Sequence, residues 1–259
     1  AFFKSAKQAG YPLTEDVNGY QQEGFGKFDR TTFRGRRWNA ARAYLHPIMK
    51  ERKNLTVQCH AMVQKILFEG KRAVGVNVKI KGKDKTFKGN EIICCGGAIN
   101  SPHLLQLSGI GNPDHLAPLG IDMVHASPGV GEDLQDHLEV YIQYASKKPV
   151  SLYPALKWWR APWIGFQWLF MHKGIGASNH FEAGGFIRGN DRVTYPNLQY
   201  HFLPIAIRYD GSSPEAGHGY RVHVGPMNTD VRGHVKISSA DPHVYPEVLF
   251  NYLSTRDKR

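Results

Sequence analysis

Residues 91–139, EIICCGGAINSPHLLQLSGIGNPDHLAPLGIDMVHASPGVGEDLQDHLE, limit what this chain can fold into more than any other stretch. A short apolar run, Ile92-Ile93-Cys94-Cys95, stops at Gly96-Gly97. Ser101-Pro102 then has the form of an N-cap followed by proline at the first helical position. Leu104, Leu105 and Leu107 follow, and Gly109 closes the helix. The order strand, glycine turn, helix predicts an α/β unit, with a strand over residues 91–95 and a helix beginning at Ser101. A glycine pair lets a ligand approach the backbone, and free amides at a helix start favour an anion. That suits a phosphate-bearing cofactor, although many α/β units carry such a turn with nothing bound.

Upstream, residues 63–68 and 73–80 read as a hairpin around Glu69-Gly70-Lys71-Arg72. The turn Lys81-Gly82-Lys83-Asp84 leads on to Thr86-Phe87-Lys88, so the unit contains a β-meander. Residues 55–58 alternate weakly as a strand, and residues 35–45 read as a glycine turn entering a helix capped near Asn39. Arg36, Arg37 and Arg42 there have the chemistry to meet phosphates, but a solvated basic face is the commoner use of such residues. Downstream, residues 140–145 read as a strand. Short alternating segments at 182–187, 197–203, 220–225 and 234–238, separated by Gly, Pro and Asn, predict an antiparallel sheet. Between them Trp159, Trp163, Phe166 and Phe170 recur at helical spacing, a pattern that usually marks a buried stripe. His201 and His223 fall inside strand-like runs, where histidines more often serve core or interface.

The chain resembles the glucose–methanol–choline (GMC) flavoprotein oxidoreductases. The run Gly97-Ala98-Ile99-Asn100-Ser101-Pro102, with Leu104-Leu105 and Ser108-Gly109-Ile110-Gly111, is similar to that family's second signature. Gly129-Val130-Gly131-Glu132-Asp133-Leu134-Gln135-Asp136-His137 is similar to a further family motif at the expected distance. The resemblance runs through nearly the whole chain and is closest to choline-oxidising bacterial members, on residues 11–26, 149–159 and 174–188.

The fold that follows is α/β and α+β. Residues 1–139 would form part of a FAD-binding Rossmann-like domain with its β-meander. Residues 140–259 would form part of an antiparallel-sheet substrate domain with helices on one face. The implied cofactor is FAD. Val63 would pair its backbone with the adenine, and Gly96, Gly97, Ala98 and Ser101 would form the cofactor turn. The implied reaction is hydride transfer from an alcohol carbon, choline to betaine aldehyde as a step toward the osmoprotectant glycine betaine, with electrons passing to a membrane acceptor rather than oxygen. In choline-oxidising members the glutamate at Glu139 faces the trimethylammonium group and the histidine at His137 lies nearby, here in a supporting role. A quaternary ammonium has no N–H to donate, so charge and aromatic faces must hold it; Trp159 and Phe202 are the aromatic candidates. The family's dinucleotide fingerprint and its catalytic histidine have no counterpart here. Residues 2–9 read as a helix interior and residues 254–259 as a helix beginning, so the chain reads as a middle segment, inactive by itself.

Composition is that of an ordinary soluble globular protein, with 41% hydrophobic and 21% charged residues. No apolar run approaches the roughly 20 residues needed to cross a bilayer. No secretory leader is expected, and Cys59, Cys94 and Cys95 suggest neither disulfides nor a metal site. A cytoplasmic location, with a peripheral contact to the inner membrane as one option, is the expectation. The formal net charge of +11 also fits a basic module that binds a membrane or an acidic partner without catalysis, and the same fold could serve another alcohol. Nucleic acid is not expected as a partner, because no nucleic-acid fold signature accompanies the scattered Lys and Arg.

Overall fold

The computed structural model describes residues 2–207 and 217–254. In chain order the main elements are α1 Phe2–Gln8, β1 Gly24–Lys27, β2 Ala61–Glu69, β3 Arg72–Ile80, β4 Lys83–Lys88, α2 Gly97–Leu107 and β5 Val140–Ala145. They continue with α3 Ala161–Met171, β6 Ala183–Ile187, β7 Leu198–Leu203, β8 Gly219–Pro226, β9 His234–Lys236 and β10 Glu247–Leu249. The elements gather into two compact units that interleave along the chain. One comprises Ala1–Leu55 with His137–Asn228, the other Thr56–Asp136 with Thr229–Arg259. The sequence reading divides the chain once, at residue 139; the fold crosses between units three times, near residues 55, 136 and 228.

The first unit is a five-stranded antiparallel sheet in the order β1-β6-β7-β8-β5. Side chains alternate across it, so each strand feeds two faces. Phe25, Ile187, Leu198, Tyr200 and Phe202 point to one face, where α1 lays Phe2, Phe3 and Ala6 against them. Phe2 stacks on Phe202 with ring centroids 4.5 Å apart. The opposite face is aromatic and polar and carries His201, His223, Tyr141 and Arg221.

The second unit holds the predicted meander, with β2, β3 and β4 paired in sequence order and a bulge after Val63. Helix α2 packs between this meander and β9. Its Leu107 joins Leu116, Ile121 and Ile237 in a buried cluster. Two polar side chains lock the helix in place. Ser108 Oγ accepts the Ile66 amide at 2.9 Å and donates to the Leu104 carbonyl. Gln106 donates to the Val235 carbonyl at 2.8 Å and accepts the Ile237 amide at 3.2 Å.

Four expectations need correction. Residues 91–95 form no strand, and among the described residues no strand runs beside them to complete a ladder. Helix α2 begins at Gly97 rather than at Ser101, because the Gly96-Gly97 turn already directs the chain into helix and leaves Pro102 inside it. Gly109 closes it as expected. Residues 55–58 carry no strand, with Val57 exposed and unable to seed one. The aromatic stripe is not core: Trp159 is 55%, Trp163 59% and Phe170 72% exposed, and no residue of α3 is buried. Periodicity says which side chains share a face, not what covers that face. The helical reading of residues 255–259 lies outside the described residues.

Candidate functional site

The sheet unit gathers its chemistry on the polar face. Register makes His201 the cross-strand partner of His223, and His223 the partner of Tyr141. Glu139 immediately precedes β5, two residues before Tyr141, and so turns its side chain toward the same face. Its Oε1 lies 2.7 Å from His223 Nδ1. The His223 side chain is 4% exposed and that of Glu139 40%, so a half-open carboxylate rests on a buried imidazole. The Tyr141 and Phe181 rings lie 5.7 and 5.9 Å from the His223 ring, and Phe28 and Phe181 meet His201 edge-on. Arg221 lies over Tyr141 at 5.0 Å and donates to the Ile207 carbonyl.

Electrostatics tie the group together. Burial pushes the His201 pKa below its ordinary value; Glu139 opposes that shift, while His223 and His137 reinforce it. The structure therefore brings His137 and Glu139 into one neighbourhood with His201 and His223, whose strand-like runs alone suggest core or interface. Their only sequence signal was placement in alternating runs; the register that pairs them is not written locally. Phe202 stands on the other face of the sheet, stacked on Phe2, and is not brought to Glu139. Trp159 contacts Trp158 edge-on and takes the Lys157 ammonium 5.0 Å from its ring centroid.

The second unit carries a cleft of about 340 Å³ between β2, α2 and residues 92–96. Val63, Gly96 and Ser101 line it together, while Gly97 and Ala98 sit exposed at the start of α2 beside it. Its walls are mostly apolar, from Met62, Val76, Ile92 and Leu104. Asn100, Ser101 and His103 are its polar members, and the buried His103 Nε2 has no hydrogen-bond partner in the structure, with a pKa lowered by burial. An apolar slot with one orphaned ring nitrogen and an irregular strand edge at Val63 fits a flat heteroaromatic group such as adenine. Next to the start of the polar-face segment, Asp136 accepts a 2.5 Å hydrogen bond from Tyr252, whose pKa rises to about 12 through burial and that bond. Among the described residues no cluster of three or more His, Cys, Asp or Glu side chains is arranged to hold a metal, and no helix is long and apolar enough to cross a membrane.

Antiparallel sheets with few helices, a meander leading into a glycine turn, and a histidine–carboxylate face define a mixed α/β flavoenzyme-like fold. A family profile described as GMC oxidoreductase matches residues 1–139, and the chain belongs to the GMC oxidoreductases. It is 58% identical over 260 aligned residues to a protein of Staphylococcus saprophyticus named oxygen-dependent choline dehydrogenase, covering 100% of this chain and 46% of that relative. A Chromohalobacter salexigens protein named oxygen-dependent choline dehydrogenase 1 is 58% identical over 256 residues, covering 98% of this chain and 46% of the relative. The chain thus spans about half the length of the curated relatives it matches. Among solved structures, pyridoxine 4-oxidase from Mesorbium loti superposes with a TM-score of 0.82 at 25% identity, covering 99% of this chain and 47% of that one. A formate oxidase superposes with a TM-score of 0.89 at 22% identity, covering 98% and 49%, a likeness of fold.

Proposed function

We propose that this chain supplies the substrate face and part of the cofactor cleft of an FAD-dependent enzyme that oxidises choline to betaine aldehyde, a step toward glycine betaine. The observation that carries the reading is the Glu139 carboxylate, half open to solvent on a face that carries the Tyr141 and Phe181 rings. A fixed anion beside aromatic faces is what a trimethylammonium group requires, each aromatic contact adding about 0.5–2 kcal/mol. A neutral alcohol would gain no charge–charge attraction from that carboxylate. The names of the 58%-identical relatives support the same substrate.

In this reading the sheet unit holds substrate, Glu139 orients its cationic end, and His137 has a supporting role near the hydroxyl end. In the second unit Val63 and Ser101 would hold the adenine side of FAD, with Gly96, Gly97 and Ala98 leaving its backbone approach open. FAD, when bound, supplies the acceptor for the hydride. The relatives' names favour oxygen as the final electron acceptor; a membrane acceptor reached from a peripheral position is the other choice, and oxygen uptake by the intact enzyme separates them. The test of substrate class is competition. Tetramethylammonium, which has the charge and lacks the hydroxyl, is expected to inhibit choline oxidation by the intact enzyme competitively. Absence of inhibition overturns the choline reading in favour of another alcohol.

A further inference from the structure

We propose that His223 is a positioning residue for substrate selectivity: it donates from Nδ1 to Glu139 Oε1 at 2.7 Å and fixes that carboxylate in the orientation that receives a quaternary ammonium. This rests on the reading of Glu139 as the ammonium partner. A carboxylate only accepts, so the shared proton resides on the imidazole. Glu139 sits just outside β5 with its side chain 40% exposed, and a glutamate has many rotamers among which the bond to His223 selects. His223 has no such freedom. It is 3% exposed on the interior strand β8, paired to His201 on one side and Tyr141 on the other, with the Phe181 ring against it.

The donor type matters as much as the hold. A lysine or arginine at this position would grip Glu139 as firmly but bring a full positive charge to the place where the substrate must put its own. An imidazole can donate from Nδ1 in its neutral form, so it can orient the carboxylate without cancelling its charge. His201 and His137 meet the same field from the neighbouring strand and the preceding residues, and Arg221 shares the face with its guanidinium over Tyr141 and a bond to the Ile207 carbonyl. The order is therefore rigid strand, buried imidazole, half-open carboxylate, substrate cation. This assigns selectivity to a residue that need not touch the substrate at all.

The experiment compares KM and kcat of the intact enzyme for choline and for its neutral isostere 3,3-dimethylbutan-1-ol. The variants are His223→Phe, His223→Asn and Glu139→Gln. The Phe variant keeps a ring among Tyr141 and Phe181 and removes the donor; the Asn variant keeps a donor. The expected result is a choline KM raised at least tenfold in His223→Phe, equivalent to about 1.4 kcal/mol. The isostere KM and both kcat values should move less than about threefold, and His223→Asn should restore most of the selectivity. Equal weakening of both alcohols, or an unchanged choline KM, overturns the proposal. If Glu139→Gln loses selectivity while His223→Phe retains it, Glu139 is the ammonium partner and the positioning role fails alone. If Glu139→Gln retains selectivity, the reading of Glu139 fails and the proposal falls with it. If the Phe variant does not fold, His223→Leu, which also lacks the donor, takes its place: a choline KM raised about tenfold with the isostere KM nearly unchanged supports the role, and unchanged selectivity overturns it.

Discussion

His103 shows how much one side chain can report. It is 8% exposed, lines the apolar cleft, and has a pKa lowered by burial. In the unfolded chain the ring takes up a proton near 6.5; in the folded chain it does so only at lower pH. The stability tied to a neutral His103 is therefore complete above that value and is lost as pH falls through and below it. The thermal midpoint of the intact protein is expected to drop between pH 7.5 and pH 5, and to drop less in His103→Gln. Parallel curves for the two proteins would contradict this assignment. His180 and His201 have pKa values lowered in the same direction, so the wild-type fall is shared and only the difference reports on His103. The contrast with Glu139 is instructive. Its place before a strand and its motif neighbours were readable in the sequence, whereas its partner, 84 positions away at His223, was not. A hydrogen bond between strands depends on register, and register depends on packing that no local pattern records.

At the scale of elements, local chemistry was a good guide where it is self-contained. The meander β2-β3-β4 follows from Gly70 and Gly82 turns between alternating runs, and β5 follows from VYIQYA, residues 140–145. The close of α2 at Gly109 follows from the need for a left-handed residue there, with φ at +84°. An added Cβ at Gly109 would also run into the Asp122 carbonyl, while at Gly120, φ +72°, it would meet nothing within 4 Å. Both Gly→Ala changes carry the left-handed penalty of about 1–2 kcal/mol, and Gly109→Ala adds a backbone collision. The thermal midpoint of Gly109→Ala is therefore expected to lie clearly below that of Gly120→Ala, and equal midpoints would contradict the collision. Elements that depend on neighbours were misread. Residues 91–95 have strand composition without a neighbouring strand among the described residues, and the aromatic face of α3 has core composition in an exposed place.

At the scale of the whole molecule, sequence order and spatial order part company. Strand β1 at Gly24–Lys27 pairs with β6 at Ala183–Ile187, so the first 55 residues complete a sheet whose other strands come more than 100 residues later. Motif resemblance identified the family and its FAD chemistry from residues 97–111 and 129–137, but a single division at residue 139 could not express this interleaving. The central claim concerns one residue on the sheet unit's polar face, and it is tested in the intact enzyme. The measurement is choline-dependent bleaching of the bound flavin without oxygen, followed by absorbance, for wild type and Glu139→Gln. The account predicts that choline bleaches the wild-type flavin and that the substitution raises the choline concentration required by tenfold or more, about 1.4 kcal/mol. Equal bleaching of both proteins at the same choline concentration would contradict it.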